Sequence, residues 1–317
     1  MTRRFLHIVL LLIGVSVISF VFVSLAPGNY LDEMRLNPQI SPETVSALKA
    51  QYGLDRSVPV RYWQWLKSLV RGDMGYSFAY NQSAASLIWP RARNTLLLTA
   101  GATVIAWLLA IPIGVWSAER RGHLDDRFIF TATGSLLAFP DLLIALALLW
   151  FAARTHIVPT GGMVSLDFDS LSVAGKLKDM AAHLFLPVAA LVLGMVPILV
   201  RHVRAAAVEV LRSPFYIAAA GHGIPRRTLL FRYALRGAAN PLITLLGFSI
   251  GSLLSASMLV EVVLGWPGMG PLLLEAILAR DLFVVIGALM LSTLFLAGGS
   301  FTADLLLYWQ DPRIRAQ

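Results

Sequence analysis

The sequence predicts an all-α integral membrane protein, and three observations carry that prediction. Hydrophobic residues make up 57% of the 317 residues and charged residues 14%, with a mean hydropathy of +0.71; that leaves too little polar surface to cover a soluble globule of this size. Six apolar stretches reach or approach the roughly 20 residues that a helix needs to cross hydrocarbon. The net charge of +8 sits in arginines beside those stretches, which reads as retention of cytoplasmic loops and not as a nucleic-acid surface. The absence of cysteine excludes disulfides, thiolate metal sites and a cysteine nucleophile, so stability must come from helix packing.

The stretches are Phe5–Ala26, Thr95–Ala118, Phe128–Ala152, Leu184–Val200, Leu242–Leu264 and Val284–Trp309. An even count puts both termini on one side. Arg3 and Arg4, the short loop from Glu119 to Arg127, the arginines after Val200, and Arg313 with Arg315 then share one face, which the positive-inside rule makes cytoplasmic. The first outside loop, residues 27–94, carries Lys49, Arg56, Arg61, Lys67, Arg71, Arg91 and Arg93; loops longer than about 60 residues translocate largely regardless of charge. Ser24-Leu25-Ala26 also resembles a signal-peptide cleavage site, but the apolar stretch before it exceeds the usual signal core of about 7–15 residues.

Within that loop, Ser41-Pro42-Glu43-Thr44 offers an N-cap, a first-turn proline and an acid for a helix through Val45, Leu48 and Lys49 that ends near Gly53. A second amphipathic stretch holds Tyr62, Trp63, Trp65, Leu66 and Leu69 and ends near Gly72. It suits a helix lying on the membrane or packed over the spans, and the loop reads either as a cap on its own bundle or as a substrate cage. No internal repeat is apparent, so residues 1–317 read as one membrane domain.

Catalytic motifs are lacking. No phosphate-cradling G-x-x-x-x-G-K-[ST] loop, no H-E-x-x-H and no dinucleotide fingerprint occurs, so no ATP hydrolysis is expected of this chain. His7, His123, His156, His183, His202 and His222 lie at span ends or in loops without metal-ligand spacing. Asp141, Glu261 and Asp304 are the ionisable residues inside spans. Such groups are costly in hydrocarbon and point to ion coupling or to pairing; structural pairing near helix ends accounts for them better.

Between Arg201 and Pro241 seven arginines (Arg201, Arg204, Arg212, Arg226, Arg227, Arg232, Arg236) accompany one acid, Glu209. Ser213 suits an N-cap, Pro214 a first helical position, Gly223 a left-handed stop and Pro225 a new start, so a small helical hairpin is expected. It either caps the bundle from inside or faces a cytoplasmic partner, with Ala218, Ala219, Ala220 and Gly221 permitting close approach. Trp266-Pro267-Gly268-Met269-Gly270 predicts a tight turn outside, its aromatic at headgroup level.

Taken in order, Leu25-Ala26-Pro27-Gly28; Tyr52-Gly53-Leu54-Asp55 with Arg61-Tyr62 and Trp65-Leu66; Gly72-Asp73-Met74-Gly75-Tyr76-Ser77; Asn94-Thr95-Leu96; Pro159-Thr160-Gly161; Leu186-Pro187; Arg201 with Arg204; Trp266 to Gly270; Ala279-Arg280-Asp281; and Asp311-Pro312-Arg313 form a specific series. Over nearly its whole length the chain resembles the permease subunits of binding-protein-dependent ABC importers, in the dipeptide, oligopeptide and nickel branch. The resemblance implies a six-span type I importer fold with a cytoplasmic EAA coupling helix, in the bacterial inner membrane.

By that resemblance the segment 201–240 docks in a groove of an ATPase subunit. The family motif's alanines fall on Ala218 and Ala219, its glycine on Gly223, and Ile217 replaces its glutamate. The implied coupling residues are Phe215, Tyr216, Ile217, Ala218, Ala219, Ala220, Gly221, Gly223, Arg226 and Arg227. Trp266, Pro267, Gly268, Met269 and Gly270 read as a packed turn or, by the resemblance, as a periplasmic gate or binding-protein contact. The implied partners are a second homologous permease, two ATPase subunits that hold the ATP and magnesium, an extracytoplasmic solute-binding protein and lipid, with no cofactor on this chain. Peptide import by alternating access is the expectation; nickel or metal-chelate import, or a non-transport sensor or assembly protein, are its alternatives.

Overall fold

The structure is a computed structural model that describes residues 2–25, 41–51, 53 and 55–310. The sequence readings on Ala26–Gly28, Tyr52, Leu54, Asp311–Arg313 and Arg315, and on the side chains of Arg3 and Arg4, lie outside what is described. The helices are α1 (Thr2–Leu25), α2 (Pro42–Gln51), α3 (Val58–Val70), α4 (Ala84–Glu119), α5 (Leu124–Leu137), α6 (Asp141–Thr155), α7 (Val173–Leu211), α8 (Pro214–Gly221), α9 (Ala239–Val263), α10 (Met269–Leu278) and α11 (Leu282–Gln310). A two-stranded hairpin, β1 (Tyr76–Ser77) and β2 (Gln82–Ser83), pairs Tyr76 with Ser83 and Ser77 with Gln82.

Helices α1, α4, α7, α9 and α11 are each long and apolar enough to cross a bilayer, and α5 with α6, bent by 94° at their junction, is apolar enough to make a sixth if the pair is counted as one span. The expected third span, 128–152, is therefore not straight. Pro140 supplies no N–H and disfavours a helical conformation at Phe139, so α5 closes with Ala138 and Phe139 bonding back to Ser135 and Leu136 before α6 starts afresh at Asp141. Helix α7, with 39 residues, is roughly 58 Å long and outruns both the apolar run 184–200 and the hydrocarbon layer.

The chain divides into two compact units. One comprises residues 1–95 and 267–297. In it the amphipathic α3 packs on α1: the Phe20 ring meets Tyr62 edge-on at 5.4 Å, and the Ser16 and Tyr62 hydroxyls lie 2.9 Å apart. Trp65 is buried and donates its indole N–H to the Met74 carbonyl. The expected α2 cap forms, with the Ser41 hydroxyl accepting from the Thr44 N–H at 3.1 Å. Asp281, just ahead of α11, accepts from the Ser77 hydroxyl, and burial pushes its carboxyl above the ordinary carboxylate range.

The other unit comprises residues 96–266 and 298–317. Its core joins α4, α6, α7 and α9 through Leu98, Ala106, Ala145, Leu191, Leu199 and Leu253. Ala102, Ala106, Ala110 and Gly114 recur every four residues along α4 and form a small-residue stripe. At Gly114 the stripe meets α7, where an added Cβ would lie 2.7 Å from the Val203 side chain. In a bilayer such close backbone approach, with the dispersion contacts it allows, drives helix association.

Candidate coupling surface and packed turn

The candidate coupling segment is assembled from the end of α7 onward. Arg212 ends α7, and Ser213 takes the extended backbone of an N-cap (φ −70°, ψ 146°). Its hydroxyl does not cap α8, as the sequence suggested; it donates back to the Val210 carbonyl at 2.5 Å. Pro214 opens α8 and Gly223 stops it at φ +74°, a left-handed conformation that costs a β-branched residue dearly. Past Pro225 the expected second short helix proves to be a lead-in to a span. A turn at Arg226–Thr228, a π-helical turn at Leu229–Ala234 and a turn at Leu235–Gly237 run on into α9. Buried Leu229 and Ala234 anchor that lead-in, with Ala234 packing in one cluster with Val203, Ala207 and Val210 of α7.

Helix α8 itself buries no residue. Phe215 and Ile217 are 52% and 60% exposed; Ala218, Ala220, Gly221, Gly223, Arg226 and Arg227 are exposed, and Ala219 is half-buried. Tyr216 turns inward, where burial and the neighbouring Glu119 carboxylate push its hydroxyl above the usual tyrosine range. Next to it a cavity of about 540 Å³ is lined by Glu119, Arg121, Gly122, Leu211, Arg212 and Tyr216, among others.

Two ionic clamps hold this region, and the sequence showed neither. Arg226 donates from Nε and a terminal nitrogen to both oxygens of Glu119, at 3.1 and 2.8 Å. Asp126 accepts two bonds from Arg204 (2.6 and 2.8 Å), one from the Ser117 hydroxyl (2.6 Å) and one from the Gly122 N–H (2.9 Å). Bidentate guanidinium–carboxylate pairs fix orientation as well as charge. The Arg201 and Arg204 guanidinium groups also stack over the Phe130 ring, 4.2 and 5.8 Å from its centre. Glu209 is thus not the arginines' main acid: acids from α4 and α5 meet Arg226 and Arg204.

The turn at 266–270 is packed. Trp266 is wholly buried and donates its backbone N–H to the Glu261 carbonyl, which corrects the expectation of a ring at headgroup level. The Asn94 amide donates to the Pro267 carbonyl at 2.8 Å, and the Thr95 hydroxyl accepts from the Met269 N–H at 2.8 Å. Asn94-Thr95 and Pro267-Met269, separate motifs in the chain, thereby form one knot. Glu261, toward the end of its span, is fully buried. Asp141 opens α6.

Two family models cover the chain. Residues 110–316 match the binding-protein-dependent transport system inner membrane component, and residues 1–99 match the N-terminal part of such membrane components. The chain belongs to this family. A putative peptide permease of Brucella ovis is 32% identical to it, covering 99% of each chain. An oligopeptide transport system permease of Bacillus subtilis is 32% identical, covering 98% of each. A nickel import system permease of Staphylococcus aureus is 28% identical over 100% of this chain and 92% of its own. In structure, a chain of the inward-facing MetNI methionine ABC transporter superposes with a TM-score of 0.58 at 15% identity, over 71% of this chain and 96% of that one, which supports the type I importer fold. The permease is thus a multi-pass inner-membrane subunit of a binding-protein-dependent ABC importer.

Proposed function

We propose that the permease imports peptides by alternating access, driven by ATP hydrolysis on separate cytoplasmic subunits that dock on α8. The observation that carries this reading is the bare α8 itself. An apolar helix with no buried residue, exposing Phe215 and Ile217 in an arginine-rich segment, calls for a partner groove, and the Arg226–Glu119 clamp ties it to α4. When the ATPase dimer closes, α8 moves with it, and the clamp passes the motion to the spans. Ala218, Ala219 and Gly221 let the groove approach closely, while Arg226 is committed to Glu119 and Arg227 is left to meet the partner.

The turn from Trp266 to Gly270 acts as a gate element through its packing, because the burial of Trp266 and Met269 leaves little side chain for direct contact with a binding protein. Both termini and α8 face the cytoplasm, and a second, homologous permease completes the pathway. ATP and magnesium belong to the ATPase subunits. Peptide cargo is favoured by the peptide and oligopeptide permeases among the relatives at 32% identity.

Orientation is tested with single cysteines in this cysteine-free chain. Asn81→Cys should react with an impermeant maleimide in intact cells and Thr228→Cys should not; external labelling at Thr228 would overturn the coupling assignment. Cargo is tested by mass spectrometry of the ligand that co-purifies with the binding protein. A peptide supports the reading, and a nickel chelate replaces it with metal import.

A further inference from the structure

The break at Pro140 makes Asp141, in the middle of an apolar stretch, the first residue of a new helix. Asp141 opens α6 and aims its side chain at Gly194 of α7, where an added Cβ would collide with the carboxylate oxygen. Beside the two lies a cavity of about 140 Å³ lined by Asp141, Gly194, Met195, Ile198, Ser252 and Ala256, among others. Asp141, Gly194 and Ser252 each fall within two residues of the middle of their apolar stretches, 128–152, 184–200 and 242–264. Counted along the sequence, the cavity thus falls near the middle of three apolar stretches. A carboxylate there is expensive, and the positive end of α6 offsets part of that cost. Among the described residues that line the cavity, none is lysine, arginine or histidine, so the structural pairing expected of Asp141 has no cation there to pair with.

We infer that this cavity is a midplane subsite for the ammonium end of the cargo, with Asp141 as its counter-charge and Gly194 as the gap that admits it. In secondary transporters discontinuous helices near the midplane hold ions and polar cargo; here it is the Asp141 carboxylate that sets the sign of the charge held. The chemistry selects an alkylammonium: one carboxylate, the Ser252 hydroxyl and apolar walls. Imidazole is a donor that suits nickel, and the cavity lining supplies none. The cavity is smaller than the roughly 300–1,000 Å³ that encloses a whole drug-sized ligand, so it takes the amino-terminal end of a peptide and not its length. This inference rests on the peptide reading above for its cargo, but not for its charge.

The test uses the assembled transporter in membrane vesicles with Ser252→Cys as its one thiol in this chain. The rate of modification by aminoethyl methanethiosulfonate, a cation, is compared with that of the neutral methyl reagent. Asp141→Asn should lower the cationic-to-neutral ratio about tenfold, as loss of a nearby opposite charge does at moderate effective dielectric, and Asp141→Glu should retain it. Gly194→Ala, which displaces the carboxylate, should lower it as well. Alanyl-alanine at millimolar concentration should protect the thiol, whereas its N-acetyl form and nickel chloride should not. An unchanged ratio in Asp141→Asn overturns the subsite even if the transporter imports peptides. Protection by nickel chloride in place of alanyl-alanine overturns the ammonium assignment, whereas charge-dependent labelling in a transporter that imports no peptide overturns the peptide reading and supports the counter-charge.

Discussion

Helix α8 and the turn at 266–270 are written in the same kinds of residue, proline and glycine beside aromatic and small side chains, yet Phe215 and Ile217 are 52% and 60% exposed while Trp266 and Met269 are 0% and 1% exposed. The difference lies in what meets their backbones. In the turn, Asn94 and Thr95 reach the Pro267 carbonyl and the Met269 N–H, so the segment is closed by its own chain. Helix α8 closes mostly on itself: its backbone bonds run internally, His222 Nδ1 lies 2.7 Å from the Ala218 carbonyl, and while Tyr216 turns inward, Phe215 and Ile217 stay largely exposed. Turn-forming residues mark where a chain reverses. Whether the reversal faces its own core or a partner is decided by polar groups far away in sequence.

The comparison breaks most readily at Trp266. Trp266→Ala should cost about 3–5 kcal/mol, as the loss of a large buried aromatic does, and should appear as a lower melting temperature and a smaller monodisperse fraction in detergent. A stable Trp266→Ala protein would mean that the turn is as bare as α8. Next in size is the Asp126–Arg204 clamp. Asp126→Ala leaves the Arg204 guanidinium without its carboxylate, a loss of about 3 kcal/mol for a largely buried pair, and Arg204→Met in the same chain should restore much of it. If the double variant melts no higher than Asp126→Ala alone, the clamp is not what holds these helices.

Much of the fold is legible in the amino-acid sequence. Hydrophobic run lengths find all six spans, Ser41-Pro42 finds the start of α2, and Pro214 and Gly223 find both ends of α8. Three things are not legible, each for a physical reason. The Glu119–Arg226 and Asp126–Arg204 pairs join residues 107 and 78 positions apart, and charge counting within one segment cannot reach that far. The every-fourth-residue stripe from Ala102 to Gly114 is hidden because alanine is unremarkable in an apolar helix until a neighbouring helix shows which face it covers. Trp266 looks interfacial because tryptophan often is, and its place in the core depends on side chains from α4, α6, α7 and α9.

A smaller effect on folding, with a larger one on function, is expected at the second clamp. Arg226 is exposed and Glu119 holds its guanidinium firmly protonated, so Arg226→Gln should leave the melting temperature unchanged. ATP hydrolysis stimulated by the loaded binding protein should fall several-fold, because α8 is no longer tied to α4. Equal stimulation in wild type and Arg226→Gln would place the mechanical link elsewhere.

The central claim is that α8 is bare because an ATPase subunit covers it, and Ala219→Glu tests it most directly. The residue lies in a short helix outside the spans, so insertion and melting should be unaffected, while a long charged side chain blocks close approach to a groove. Size-exclusion chromatography of the co-expressed complex should show the ATPase subunits lost from Ala219→Glu permease and retained by wild type. A variant that carries its ATPase subunits at wild-type stoichiometry and transports at the wild-type rate would contradict the account.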